Sequence, residues 1–163
     1  MIKTWLLASI ICCGGMLVQA QTKPATITVN GEVTTPLTLT LESLNQMKKS
    51  SVTAADKDGK SHVYSGVALY DILQAAGVTF GSALRGENMA KYLLVKSGDG
   101  YEVLFSLPEI DPAFNDKTIL VAMESDGQAL PQGKGPYRLV VPGEKRPARW
   151  VWEVTTLTVG FAK

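Results

Sequence analysis

Short segments with the composition of β-strands, each followed by a turn signal, recur along most of this 163-residue chain. The clearest pair is Tyr92–Lys96 and Tyr101–Phe105, which flank Ser97-Gly98-Asp99-Gly100, a strong hairpin signal. In total, the pattern predicts about eight strands in an irregular order, without the regular alternation of strands and helices that indicates a parallel sheet. We therefore predict an α+β domain that is mostly β, with a mixed sheet.

Two short helices interrupt this β pattern. Apolar residues recur at helical spacing over residues 67–76, and Gly77 is expected to end that helix. Residues 41–47 show the same spacing behind Thr40, which is the expected N-cap. Phe80–Ala90 is polar and contains glycine, so we expect a loop there. Asp126-Gly127 is expected to form the turn after a strand over residues 118–123.

The most distinctive segment is GPYRLVVPGEKRPARW, residues 135–150. It combines an apolar strand over residues 137–141 with Pro142-Gly143, the pair that a type II turn prefers at its centre. Positive charge concentrates around it, on Lys134, Arg138, Lys145, Arg146 and Arg149, against Glu144 alone. The whole chain is nearly neutral, with 16 Lys and Arg against 15 Asp and Glu. The segment is therefore a local anion-binding candidate or solvated surface charge, and the composition argues against a nucleic-acid partner.

The first twenty residues have the pattern of a secretory signal peptide. Lys3 precedes an apolar run over residues 5–18, and Val18-Gln19-Ala20 is a small-x-small cleavage site. We predict cleavage after Ala20, a single domain over residues 21–163, a periplasmic or secreted location and no membrane span after cleavage. A membrane anchor is the alternative, but the run is short for a bilayer. Cys12-Cys13 would allow a lipoprotein, although Ile10-Ile11 stand where small residues are required.

Few residues of the predicted mature chain have an obvious chemical role. Both cysteines lie in the signal segment, so no disulfide, thiolate nucleophile or thiolate metal ligand is expected. His62, the single histidine, is expected to be a surface or edge-strand residue. Glu109 and Asp111 form an acidic pair that could serve acid–base chemistry, but the favoured interpretation is that Asp111 caps a turn before Pro112. Trp150 and Trp152 would share one face of a strand, either packed in the core or beside a ligand. We assign no catalytic and no metal-binding residue.

Residues 26–160 resemble a known family. The similarity runs through ITVNGEV, YSGVALYDILQAAGV, SGDGYEVLFSL and, most specifically, LVAMESDGQALPQGKGPYRLVVPG followed by RPARWV. Together these resemble the molybdopterin-binding domain of the sulfite oxidase-like oxidoreductases, which include the bacterial periplasmic methionine sulfoxide reductase catalytic subunits. The resemblance implies a mostly β fold with two short helices and a molybdopterin-type cofactor.

The resemblance also implies which residues contact that cofactor. Arg146 and Arg149 match the two basic positions that help to hold the pyranopterin and its terminal phosphate. Trp150 matches the tryptophan that follows them, and Arg138 matches the arginine of the preceding strand. Lys145 is the fifth cofactor-binding candidate, because it adjoins the same basic motif.

Two departures from the family limit what it implies. Catalytic members bind molybdenum through a cysteine in the region that here has the sequence SSVTAADKDG, where Ala54 or Ala55 stands nearest its place. Ser50 or Ser51 is the oxygen alternative. Those members also carry a further cofactor-binding segment before the domain, a place taken here by the signal segment.

We therefore predict an exported member that keeps the fold and part of the pterin-phosphate site and lacks ordinary molybdenum oxidoreductase activity. Two alternatives stay open. One is an enzyme with an oxygen ligand to the metal. The other is a non-catalytic module for an anionic ligand or a partner protein, such as a periplasmic redox partner.

Overall fold

The strands form two five-stranded sheets in a computed structural model that describes residues 25–162. The predicted signal segment and its cleavage site lie outside the described residues. The first sheet contains β1 (Ile27–Gly31), β2 (Leu37–Leu39), β5 (Lys91–Ser97), β6 (Glu102–Ser106) and β10 (Val154–Phe161). The second contains β3 (Lys49–Ala55), β4 (Ser61–Ala68), β7 (Leu120–Ser125), β8 (Gln128–Ala129) and β9 (Arg138–Val140). The helices are α1 (Leu41–Gln46) and α2 (Leu69–Ala75), with short 3-10 helices at Gly81–Ala83, Gly86–Ala90, Leu107–Glu109 and Pro147–Arg149.

The first sheet has the order β2-β1-β10-β5-β6 and is mixed. Strands β1 and β10 run parallel, with Thr28 opposite Thr156, and the other neighbours are antiparallel. Strands β5 and β6 form the predicted hairpin, with Val95 opposite Val103. The parallel pairing of β1 with β10 joins the two ends of the described chain and confirms the mixed sheet.

The second sheet has β7 near its centre, with β4 on one side and both β8 and β9 on the other. Strand β4 also pairs along its whole length with β3. Gly66 lies at an irregularity between β4 and β7, where an added Cβ would stand 2.0 Å from the carbonyl oxygen of Val121. The close approach of these strands therefore requires glycine at position 66.

One hydrophobic core contains side chains from both sheets and from the two helices. Leu69, Ile72 and Leu73 of α2 are fully buried in it, and Gly77 ends the helix with a φ of 75° as predicted. Thr40 caps α1 as predicted, since its side-chain oxygen accepts a hydrogen bond from the Ser43 amide at 3.2 Å. The predicted α+β, mostly β fold with two short helices is confirmed.

Several boundaries differ from the sequence prediction. Residue Val67, expected on the helix face, lies in β4, because the backbone there forms ladder pairs with both β3 and β7 before the helix begins. The expected loop over residues 80–90 contains two 3-10 helices, and residues 25–162 form ten strands where about eight were predicted. Within residues 25–162, no helix combines the length and the apolar character that crossing a membrane requires.

Candidate functional site

A cavity of about 420 Å³ lies beside two turns of the second sheet. One turn connects β3 to β4 and the other connects β7 to β8. Its walls include Asp56–Asp58, His62, Asp126, Lys134, Arg138 and Trp152, and we call it the turn cavity. Its volume lies in the range of sites for small molecules.

Tight turns determine the backbone conformation on both sides of the turn cavity. In the β7–β8 turn, Asp126 and Gly127 adopt φ values of 52° and 75°, the left-handed pair of a type I′ hairpin, which confirms the predicted turn. In the β3–β4 turn, the Asp56 amide donates to the Lys60 carbonyl at 3.0 Å, and Gly59 has a φ of 75°. Short hairpin turns of this kind hold their aspartates in fixed positions beside the cavity.

Arg138 contributes a buried positive charge to the cavity wall. Its side chain is 3% exposed, and Nη1 and Nη2 donate to Oδ2 and Oδ1 of Asp56 at 2.7 and 3.0 Å. The hydroxyl of Tyr64 donates to the same carboxylate at 3.0 Å. The hydrogen bonds from Arg138 hold the pKa of Asp56 well below its usual range. This pair ties β9 to the β3–β4 hairpin.

Aromatic rings surround the same guanidinium group. Its central carbon lies 3.7 Å from the ring centroid of Trp152, 5.0 Å from Trp150 and 5.3 Å from Tyr64. A planar guanidinium stacks well on such rings. Among the described residues, Nε of Arg138 has no hydrogen-bond partner although it is buried. Arg138 is therefore a fixed element of the wall with one donor unused.

His62 bridges the two turns. Its Nδ1 lies 2.6 Å from Oδ2 of Asp126, and its Nε2 lies 3.5 Å from Oδ2 of Asp58. The amide of Val63 donates to the other oxygen of Asp126 at 2.9 Å, which orients that carboxylate. The hydrogen bond to Asp126 raises the pKa of His62, and the same bond lowers the pKa of Asp126.

His62 is accessible at the surface, in agreement with the surface or edge-strand prediction, although β4 itself lies between β3 and β7. It lies in β4 opposite Ala54 of β3, and its side chain is 27% exposed. Asp58, four residues earlier, is a local signal in the sequence, but contact with Asp126 across 64 positions depends on the sheet pairing.

Arg149, predicted to bind the cofactor phosphate, makes internal contacts with all its guanidinium nitrogens. Nε and Nη2 lie 2.7 and 2.6 Å from Oε1 of Glu144. Nη1 lies 2.9 Å from Oε2 of Glu109 and 3.3 Å from the carbonyl oxygen of Leu104. Partial burial favours the neutral acid of Glu109, but hydrogen bonds from Ser106 and Arg149 outweigh it and lower the pKa of Glu109. Glu109 and Glu144 thus already compensate the positive charge of Arg149, which the sequence predicted to bind a phosphate.

Trp150 and Trp152 lie in different environments. Trp150 is 3% exposed and donates from Nε1 to the Val141 carbonyl at 3.0 Å, so it packs in the core. Trp152 is half-buried and lines the turn cavity, with the Lys134 amine 4.8 Å from its ring centroid. The sequence predicted that both rings share one face of a strand, but β10 begins only at Val154, so neither tryptophan lies on it. Both nevertheless contact Arg138.

Lys145 and Arg146 are exposed and form no ion pair with any residue in the described range. Neither lines the turn cavity. The five cofactor-binding candidates therefore occupy three settings: Arg138 in the cavity wall, Arg149 and Trp150 in internal contacts, and Lys145 with Arg146 at the surface. Their assignment to a pterin cofactor stays a prediction.

Asp111 has the turn role that the sequence predicted, and Glu109 also has a structural role. Asp111 is buried, and its two oxygens accept from the amides of Ala113 and Gly81 at 2.9 and 2.6 Å. Glu109 caps the short helix after β6 by accepting from the Ser106 amide at 3.0 Å.

The donor groups near the cavity do not include sulfur. Residues 25–162 contain no cysteine, Ala54 is buried near the end of β3, and Ala55 follows it at the surface. Across the described chain, no three His, Asp, Glu or Cys side chains are arranged to hold a metal ion. These residues do not fit a molybdenum centre that depends on a thiolate ligand.

The serine alternatives lie elsewhere. Ser50 and Ser51 line a second cavity of about 420 Å³ together with Ser65 and Glu124. Along a strand, Ser51 and Ala55 are separated by about 13 Å. A metal bound by either serine would therefore occupy a different place from the turn cavity.

Comparisons with known proteins connect this geometry to a family. The model of the oxidoreductase molybdopterin binding domain family matches residues 15–160. A search of curated proteins gave no match. Among solved structures, the chain is similar to the sulfane dehydrogenase SoxCD from Paracoccus pantotrophus, with a TM-score of 0.66 and 24% identity. The similarity covers 82% of this chain and 37% of that one, so the chain spans little more than a third of that neighbour.

Proposed function

The chain belongs to the oxidoreductase molybdopterin binding domain family, and we propose that it is an exported member that binds a small anionic ligand without ordinary molybdenum catalysis. The ligand is a molybdopterin-type pterin or another small anion. Membership of the family confirms the resemblance found in the sequence. The export, the ligand and the loss of molybdenum chemistry are the proposal.

The donor chemistry at the end of β3 is the observation that carries the proposal. The family resemblance places the molybdenum-binding cysteine in this region, where the chain has Ala54 and Ala55. Molybdenum in this family depends on that soft sulfur ligand, and neither alanine has a donor atom. The neighbouring Asp56 does not replace it, because its carboxylate is paired with Arg138.

Retention of the cavity supports a binding role. A cavity of about 420 Å³ remains beside the altered position, and aromatic and cationic groups line it. Buried Arg138 and the Trp152 ring are held in place by their mutual contact at 3.7 Å. Such preorganised walls reduce the entropy lost on binding.

An enzyme with an oxygen ligand is less well supported. Ser50 and Ser51 line the second cavity, away from the charged and aromatic groups of the turn cavity. A serine-bound metal would therefore lack Arg138, Lys134 and Trp152 as neighbours.

Export rests on the sequence of the first twenty residues. Their charge, apolar run and small-x-small site predict a mature chain that begins at Gln21. The destination in this proposal is the periplasm or the extracellular medium.

Elemental analysis of the protein purified from its native compartment tests the proposal. A cysteine-containing family member purified from the same cells controls for the supply of cofactor. We expect the control to contain molybdenum and this protein to contain far less than one atom per chain. One molybdenum atom per chain would overturn the proposal.

A further inference from the structure

The charge of the turn cavity depends on a single titratable side chain. Three cations line it, Lys57, Lys134 and Arg138, and three aspartates line it, Asp56, Asp58 and Asp126. These charges balance, so the net charge is set by the protonation state of His62. With His62 protonated, the cavity carries a net positive charge.

The local pairing also determines which cations face a ligand. Arg138 already compensates Asp56, and protonated His62, which contacts both Asp58 and Asp126, would compensate one of their two negative charges. Lys57 and Lys134 form no ion pair with any described residue, so their charges remain available. Neutral His62 would instead leave two unpaired aspartates that repel an anion.

The groups that face His62 come from several elements. The β3–β4 turn provides Asp58 and Lys60, whose amide donates to Asp58 at 2.9 Å. The β7–β8 turn provides Asp126, and Tyr64 of β4 has its ring 6.2 Å from the imidazole. Lys57, Lys134 and the Asp56–Arg138 pair line the rest of the cavity. Asp58 and Asp126 are the charged groups nearest the imidazole, and both favour its protonated form.

We propose that the turn cavity is the anion site of this protein, that it takes a small molecule with a carboxylate or phosphate group, and that protonation of His62 strengthens this binding. The inference rests on the proposed function, since it names where the ligand binds and what regulates it. The Asp126 hydrogen bond raises the pKa of His62, so the change in charge falls at a higher pH than in an unperturbed histidine.

Sulfate is a suitable probe, because its charge stays constant over the pH range in which histidine titrates. The apo protein is titrated with sulfate at constant ionic strength, at about pH 5.5 and about pH 8. The indole signal of Trp152 in a ¹H–¹⁵N NMR spectrum reports binding at the cavity. We expect saturable binding that is about three- to tenfold weaker at the higher pH.

Matched variants separate the cavity from general surface charge. Lys134→Gln should weaken sulfate binding at least about threefold, whereas Lys145→Gln, at an exposed site outside the cavity, should not change it.

His62→Gln should abolish the pH dependence of sulfate binding. Asp126→Asn removes the bond that raises the His62 pKa and should move the midpoint to lower pH, which a purely structural role would not do.

Specific outcomes would overturn the inference. These are no saturable shift at Trp152, binding equal at the two pH values, or binding that depends on Lys145 and not on Lys134. The last outcome would keep an anion-binding function and reject this site. Stoichiometric molybdenum, in contrast, would reject the proposed function itself, so the two failures are distinguishable.

Discussion

Arg138 illustrates what can be learned about a single residue from the sequence. The family resemblance matched it to a strand arginine with either a cofactor-binding or a structural role. Its actual partner is Asp56, 82 positions away, and that pairing depends on how β9 and the β3–β4 hairpin meet. The pattern of charges along the chain could not identify Asp56 as the partner of Arg138. The same limit applies to Arg149, which contacts Glu109 40 positions away.

Replacing Asp56 with asparagine tests the importance of this pair. The substitution leaves the buried charge of Arg138 without its carboxylate, which typically costs about 3–5 kcal/mol. We expect the lower end of that range, because Asp56 itself is 16% exposed. The free energy of unfolding in guanidinium chloride measures the effect, with Asp116→Asn at an exposed position as the control. A loss no larger than that of the control would contradict the assignment.

The pair also predicts a dependence of stability on acid. Arg138 lowers the pKa of Asp56 in the folded protein, whereas the unfolded value is about 3.9. The stabilisation is therefore fully present above the unfolded value and is lost as the pH falls through the folded one. The difference in unfolding free energy between the wild type and Asp56→Asn should shrink below about pH 4. A difference that stays constant down to about pH 2 would argue against this linkage.

At the level of helices and strands, features that depend on neighbouring residues were predictable from the sequence, whereas features that depend on pairing between distant segments were not. The β5–β6 hairpin, the Thr40 cap and the Gly77 helix end were predictable because their determinants lie within a few residues. The extension of β4 through Val67 was not, since pairing with β7 joins distant segments. The basic segment around residues 134–149 shows the same division, because the turn at Pro142-Gly143, where Gly143 has a φ of 78°, was predictable and the ion pairs were not.

Gly66 provides a test of the second sheet. Alanine there would place Cβ 2.0 Å from the Val121 carbonyl oxygen, so β4 and β7 would have to separate. We expect a loss of at least about 2 kcal/mol in unfolding free energy. Gly98→Ala is the matched control, since its Cβ would make an ordinary contact at 3.6 Å with the Thr155 methyl group. Equal effects of the two substitutions would contradict the described pairing of β4 with β7.

For the whole molecule, the sequence predicted the fold class and the family, and both are confirmed by the structure and the family match. The turn cavity was not predicted. Its walls come from Asp56, His62, Asp126 and Trp152, which are widely separated along the chain and meet only in the folded protein. The predicted candidates shared a short segment instead, and only Arg138 among them lines the cavity.

The central claim is that this family member binds an anion without molybdenum. Native mass spectrometry of the protein from its native compartment tests it most directly, because bound mass, metal isotopes and the mature N-terminus appear in one spectrum. We expect a chain that begins at Gln21, accompanied by an organic anion without the isotope pattern of molybdenum. A main species that carries a molybdenum cofactor on every chain would contradict the claim.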